Sequence, residues 1–221
     1  MNPYSITMKR PQEGFTLAFR LYLDRSKADE EIVYHAFGQG NSYEAEIAHL
    51  LLRSVRPGDF VIDVGANIGV FTVIMASLVG PEGKVLAIEP DAHNIERLRK
   101  NIELNDLDNV EVIEQPLWHS AAPVNFYRNL DTDGGHCLWD PGLFPTNSIT
   151  SRERPSPRTL QATTLEKEIA RIGRPCSLIK LDTEGADEMI LRALGIYRPE
   201  YIVSELNPFG QRQFRGNNDT I

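Results

Sequence analysis

The stretch Phe60-Val-Ile-Asp-Val-Gly-Ala-Asn-Ile-Gly69 limits what this chain can fold into more than any other. A β-branched apolar run carrying Asp63 leads into a turn from Gly65 to Gly69, and the turn opens Val70–Val79, a segment apolar nearly all round that Gly80-Pro81 stops. This is a buried strand, a tight turn and a buried helix, and such a turn holds a nucleotide. Gly65 lets the backbone come close to a ligand, Gly69 lets the helix pack tightly on the strand, and the first N–H groups of the helix face the turn.

The same alternation continues on both sides. Lys84–Glu89 is a second buried strand, after which Asp91 caps a helix with the stripe Ile95, Leu98 and Ile102, ending near Asn105. Val110–Gln115 is a third strand, with Val124–Tyr127 a candidate hairpin partner. Thr163 and Glu166 have capping-box spacing and open a helix through Ile172. Ser177–Leu181 and Tyr201–Leu206 are further strands, with Ala186–Leu194 helical between them. Upstream, Phe15–Leu23 and Glu31–Phe37 are short apolar stretches of an antiparallel or mixed lead-in over 1–40. Asn41 and Ser42 then cap a helix bearing Tyr43, Ile47, Leu51 and Val55 on one face. Residues 41–221 form the nucleotide-binding domain, within which 128–161 lacks periodicity and is expected to be a loop or lid.

The pattern predicts an α/β fold with a doubly wound, mostly parallel sheet, whose ligands sit at the carboxyl ends of the strands. Asp63, Glu89, Gln115, Asp182 and Glu205 then share one rim. A net charge of −8 and a pI near 5.2 argue against a nonspecific grip on nucleic acid. The basic groups at Arg152–Arg158 and Arg171–Arg174 read as a solvated loop and a helix end. Cys137 and Cys176 lie far apart without CxxC spacing, so neither a disulfide framework nor a zinc site is suggested. A divalent cation between carboxylates, for which no ligand set has its own signature, is a minority option, so no metal is expected. Met1–Gly14 has no apolar signal region and no run is long enough to span a bilayer, so a cytoplasmic protein is expected.

Neither G-x-G-x-x-G nor G-x-x-x-x-G-K-[ST] is present. Instead Asp63-x-Gly65-x-Asn67-x-Gly69 places an acid before the turn, where it would repel a pyrophosphate but suit an ammonium group and a sulfonium. Glu89, at the end of the second strand, stands where a carboxylate accepts hydrogen bonds from both ribose hydroxyls. S-adenosyl-L-methionine meets all three requirements.

On these residues the sequence resembles the FkbM-type S-adenosylmethionine-dependent methyltransferases, a branch of the class I Rossmann-like methyltransferases. The matching pieces are Tyr43-Glu44, Ile62–Gly69, Ile88-Glu89-Pro90, Asn101 with Asn105, Thr164-Leu165 and Ile179–Asp187, in the family's order. The resemblance implies that Asp63, Gly65, Ala66, Asn67 and Gly69 surround the methionine part of the cofactor. It puts Glu89 on the ribose, Glu114 or Gln115 near the adenine and Glu44 at the amino-acid end. Asp182 would face the sulfonium or the acceptor, with Lys180 and Glu184 beside it. Asp187 replaces the family's usual glutamate, and Asn207 stands near where many members carry a histidine. Fourteen residues follow Asn207, so the usual C-terminal strand pair is expected to be missing.

The reaction implied is O-methylation of a small-molecule hydroxyl of the sugar, glycolipid or polyketide class. It needs an aligned acceptor and a proton acceptor, for which Asp182, Glu184 and His136 are candidates. For His136, in Asp133-Gly134-Gly135-His136, an exposed loop histidine is the weightier reading. His93 and His119 read as surface residues, and Trp118 and Trp139 as stacking partners of adenine or acceptor, or as rim burial. The alternatives are a catalytically silent S-adenosylmethionine-binding or partner-binding module, and a dinucleotide-dependent oxidoreductase, whose glycine pattern the chain lacks.

Overall fold

The computed structural model describes residues 3–9, 16–39, 42–129, 134–140, 156–205 and 207–215. The chain opens with β1 (Tyr4–Lys9) and β2 (Thr16–Leu21), an antiparallel pair, followed by α1 (Ala28–Gly38) and α2 (Ala45–Ser54). The nucleotide unit is β3 (Phe60–Val64), α3 (Val70–Val79), β4 (Lys84–Ile88), α4 (Ala92–Leu104) and β5 (Val110–Ile113). A small antiparallel pair, β6 (Pro123–Phe126) and β7 (Arg158–Gln161), precedes α5 (Leu165–Ile172), β8 (Leu178–Leu181), α6 (Asp187–Leu191), β9 (Tyr201–Ser204) and α7 (Pro208–Arg215).

The main sheet is five parallel strands in the order β5-β4-β3-β8-β9, so the chain reverses direction across the sheet beside β3. β3 and β8 are buried along their whole length, which is why both read as continuous apolar runs rather than alternating ones. One face is covered by α2, α3 and the N-terminal hairpin, with Leu51, Ile74, Met75 and Phe19 in a common core. Helices α5 and α6 cover the other face through Leu165, Ile169 and Ile190. The N-terminal hairpin is therefore part of the main core, held by Ile6, Met8, Leu17 and Leu21.

Several boundaries differ from the sequence reading. The antiparallel partner of β2 is Tyr4–Lys9, and the stretch Glu31–Phe37 is helical. Helix α2 is capped at Glu44, in the left-handed region with φ 42°, rather than at Ser42; Asn41 lies outside the described residues. Val124–Tyr127 pairs through β6 with β7 and not with β5, so a strand lies inside the expected loop. The α5 cap is Thr164, whose side chain accepts from Lys167 N, while the Thr163 hydroxyl donates to Glu168 at 2.6 Å. Helix α6 ends at Leu191, earlier than Leu194. After β9 the described residues hold α7 and no further strand. Phe15, Asp133, Leu206 and most of the Arg152–Arg158 group lie outside the described residues, as does the middle of the expected loop.

Candidate active site

The turn is built by two close approaches. Gly65 N and Ala66 N both donate to Ile88 O at 3.0 Å, which ties the end of β3 to β4. At Gly65, φ is +74° and a Cβ would lie 2.0 Å from Asp182 O, so the close approach it permits is to the end of β8. Gly69, with φ +90°, would set a Cβ 2.5 Å from Leu98 Cδ1, so its smallness serves the packing of α4. Of the four non-glycine residues at positive φ among the described residues, Glu44, Asn67 and Glu184 belong to this rim. Strain of that kind persists where the surroundings over-determine it, and it concentrates at functional sites.

Two clefts open on the rim and share Gly65, Asn67 and Asp182. The first, about 620 Å³ counted to its solvent mouth, has apolar walls of Ile88, Pro116, Leu117, Phe126, Leu138 and Ile190, with Glu89 and His136 as polar members. The second, about 490 Å³ on the same measure, is walled by Asp29, Glu30, Tyr43, Glu44, Phe71 and Lys180. The carboxyl ends of β3, β4 and β8 bring Asn67, Glu89, Asp182 and Lys180 together, while Glu44 arrives from the start of α2.

Glu89 is nearly enclosed, 5% exposed; its Oε2 accepts Asn67 N at 2.9 Å and its Oε1 accepts Asp91 N at 2.9 Å. Burial outweighs these bonds and pushes its carboxyl up to about 7. The Asn94 side chain also bonds to this carboxyl, so Glu89 is held in place from three sides. Asp63 sits beneath the turn: Thr72 donates its hydroxyl to Oδ2 at 2.6 Å, and Lys180 Nζ lies 3.5 Å from Oδ1. The same ammonium is 3.5 Å from Asp182 Oδ2 and 5.1 Å from the centroid of the Phe71 ring. Burial works against the charge of Lys180, but Asp63 and Asp182 outweigh it and hold the ammonium protonated.

Glu184 and Glu205 extend the acidic rim. Glu184 Oε2 accepts from Asn207 Nδ2 at 2.9 Å, so Asn207 fixes this carboxyl. Burial and then the Asp182 charge push Glu184 up to about 7. Glu205 stands at the exposed end of β9, its N–H donating to Leu181 O at 3.2 Å, and loss of solvent around its carboxyl followed by the charge of Asp182 raises it to about 7. Asp187, for all its shortening, is a buried brace: its Oδ1 accepts from the Thr183 backbone and hydroxyl, and Oδ2 accepts from Ser204 Oγ at 2.7 Å.

His136 is not an exposed loop histidine. Its side chain is 6% exposed, its Nδ1 accepts from Asn129 N at 3.0 Å, and its ring meets the edge of Phe126 at 5.7 Å. It lines the first cleft, with Nε2 3.9 Å from Asp91 Oδ1. Asp63, Gly69 and Glu184 do not line either cleft. Glu114 is exposed and pairs with Arg99, and Gln115 bonds to Gln161 O at 3.1 Å, so Pro116 and Leu117 take the wall assigned to those two. Trp139 donates Nε1–H to Glu184 O at 2.8 Å and Trp118 packs on Phe214, consistent with rim burial; His93 and His119 are exposed. The sequence reading missed Asp29 and Glu30 of α1, which carried no motif, and Phe126 and Leu138, whose place depends on the bridge Tyr127 to Cys137.

The residues fit S-adenosylmethionine. An apolar cleft with one enclosed carboxylate, Glu89, adjoins an acidic cleft suited to a cationic amino-acid end. Asn67 Oδ1, at their junction, is buried without a hydrogen-bond partner among the described residues. Fold and site together define a class I, Rossmann-like methyltransferase domain with S-adenosylmethionine as its cofactor. The methyltransferase FkbM domain matches residues 63–220, and the chain belongs to that family.

The chain is 25% identical over 194 residues to methyltransferase sdnD of Sordaria araneosa, covering 78% of this chain and 72% of that protein. It is also 25% identical over 147 residues to methyltransferase 1 of Beauveria bassiana, covering 61% of this chain and 58% of that protein. A solved rRNA methylase of Streptococcus thermophilus aligns with 68% of this chain and 61% of its own at 10% identity, with a TM-score of 0.40. Among the described residues, no helix is long and apolar enough to cross a membrane.

Proposed function

We propose that the chain is an O-methyltransferase acting on a hydroxyl of a small-molecule acceptor of the sugar, glycolipid or polyketide class. The observation that carries this reading is the adjacency of two carboxyl groups, Asp182, which lines both clefts, and Glu205, at the end of the neighbouring strand β9. An alcohol is a poor nucleophile until its proton has somewhere to go, and a carboxyl near 7 is matched to receive one at neutral pH. S-adenosylmethionine, when bound, supplies a methyl group on a sulfonium, activated for in-line displacement.

The chain's own residues then have distinct tasks. Gly65, Ala66 and Asn67 present backbone and side-chain groups along the cofactor, and Glu89 accepts from the ribose hydroxyls. Glu44 and Lys180 stand at the amino-acid end, where Lys180 also fixes Asp182. Asp182 orients the acceptor hydroxyl, Glu205 receives its proton, and Glu184, braced by Asn207, closes the rim. His136 walls the apolar cleft beside Phe126. The acidic rim and the net charge of −8 disfavour a polyanionic acceptor such as nucleic acid.

The test is transfer of labelled methyl from S-adenosylmethionine to a panel of sugars, glycolipids and polyketide alcohols. The expected result is label in an ether with S-adenosylhomocysteine released, and a loss of at least about 100-fold in Asp182→Asn or Glu205→Gln. Label confined to amine or carbon acceptors would overturn the reading.

A further inference from the structure

The acidic cleft has an unexpected wall. Helix α1 contributes Asp29, Glu30 and Val33 to it, so the N-terminal segment forms part of the site. Three of its carboxylates are already engaged. Glu30, 2% exposed, accepts from Asp24 N and pairs with Arg97. Glu44, exposed at the start of α2, is bonded to the Tyr43 side chain, and the loss of solvent around its carboxyl moves it upward. Asp182 is held by Lys180 and Glu205.

Asp29 differs from all three. Its Oδ2 accepts Gly134 N at 3.0 Å, and its other oxygen has no hydrogen-bond partner among the described residues. Gly134 sits directly over the junction: a Cβ there would lie 3.3 Å from Asp29 Oδ2 and 3.6 Å from Asn67 Nδ2. Asp29, Gly134 and Asn67 therefore meet at one point, where the buried Asn67 Oδ1 still needs a donor. The charge of Asp29 also reaches Tyr43 in the cleft and Glu184 on the rim. A ligand running from the apolar cleft into the acidic one must place its second end beside this carboxylate. Among the described residues, the one cation lining the cleft, Lys180, is turned toward Asp63 and Asp182.

We infer that Asp29 is a cofactor-binding residue, which accepts from the ammonium group of the amino-acid end of S-adenosylmethionine while Gly134 N–H holds its other oxygen in place. The inference rests on the cofactor assignment and is independent of the acceptor. Asp29 makes the N-terminal helix a reader of the amino-acid portion, whereas the apolar cleft reads only the nucleoside.

Two probes separate the halves: S-adenosylhomocysteine, which carries the amino-acid end, and 5′-methylthioadenosine, which lacks it. Calorimetry on the full chain is expected to show Asp29→Asn weakening S-adenosylhomocysteine about ten-fold, with 5′-methylthioadenosine unchanged within about two-fold. Asparagine keeps a carbonyl for Gly134 N–H, so the hairpin contact survives and only the charge is lost. The loss is expected to shrink in high salt, as a charge contact should. Equal affinity of wild type and Asp29→Asn for S-adenosylhomocysteine would overturn the inference. So would an equal loss for both probes, or the discrimination appearing only in Glu44→Gln. Failure of wild type to bind either probe would overturn the cofactor assignment and this inference with it.

Discussion

The two clefts that meet at Asn67 are built on opposite principles. The first is walled by Ile88, Pro116, Leu117, Phe126, Leu138 and Ile190 and holds a single enclosed carboxylate, Glu89. The second sets five charged groups, Lys180 with Asp29, Glu30, Glu44 and Asp182, beside apolar Val33, Val70 and Phe71. Apolar walls recognise shape and area, and one well-placed polar group sets orientation. Charged walls recognise charge, at the cost of keeping several carboxylates close together in a partly buried space. A nucleoside joined to a cationic amino acid needs both kinds of wall, and the comparison shows why one turn serves two unlike surfaces.

The harshest way to break this arrangement is at the hinge between the clefts. Gly65→Ala is expected to destabilise the chain by at least about 3 kcal/mol and to abolish S-adenosylhomocysteine binding, because its Cβ would meet Asp182 O at 2.0 Å with φ at +74°. Thermal melting with calorimetry checks both. A wild-type melting temperature would show that β3 and β8 part easily and that the turn is not set by their contact.

Next in size is the charge balance under the acidic cleft. Lys180→Met leaves Asp63, 0% exposed, without its counter-ion and is expected to cost about 3 kcal/mol at pH 7. The cost should fall toward pH 5, since protonating Asp63 removes the uncompensated charge. Urea denaturation at the two pH values measures this; a loss independent of pH would mean that packing rather than charge is the role of Lys180.

The apolar cleft has its own signature. Glu89→Ala is expected to weaken S-adenosylhomocysteine and 5′-methylthioadenosine by the same factor, about 100-fold, because both ligands carry the ribose. That equality contrasts with Asp29→Asn, which should affect only the ligand with an amino-acid end. Unequal losses in Glu89→Ala would move Glu89 away from the ribose.

The smallest effect is a pair of opposed pH dependences. Glu89, Glu184 and Glu205 are raised to about 7, so the folded chain binds more protons than the unfolded one between the ordinary carboxyl range and pH 7. Stability of the ligand-free protein is therefore full below that range and falls as pH rises toward 8, by a few degrees in melting temperature. Affinity for S-adenosylhomocysteine should move the other way, rising with pH through about 7 as Glu89 ionises to accept from the ribose. Calorimetry from pH 6 to 8 measures it, and a flat profile would separate the Glu89 charge from binding.

The parts of this molecule that sequence reveals are those fixed by local physics. Strands β3, β4 and β8 are buried on both faces, so Val-Ile-Asp-Val, Val-Leu-Ala-Ile and Leu-Ile-Lys-Leu announce themselves. Asp91 caps α4 by accepting His93 N and Asn94 N, as its position before the apolar stripe implies. What stays hidden depends on contacts distant in sequence. β1 buries only Ile6 and Met8 within a polar stretch, and α1 buries Glu30 and Val33, too little apolar surface to mark a helix. The burial of His136 requires the pairing of Tyr127 with Cys137, and the role of Pro116 and Leu117 requires β5 to stop at Ile113. Asp29 reaches the site only because α1 packs beside the turn, and nothing in Lys27-Ala28-Asp29-Glu30 signals that.

The most direct test of the two-cleft account is competitive calorimetry of S-adenosylhomocysteine and NAD on the wild-type chain. The account expects one saturable S-adenosylhomocysteine site per chain, with a negative heat-capacity change from the apolar cleft and no measurable displacement by NAD. Tighter binding of NAD, or displacement of S-adenosylhomocysteine by it at equal concentration, would contradict the account, because a pyrophosphate would then be tolerated beside Asp63, Glu89 and Asp182.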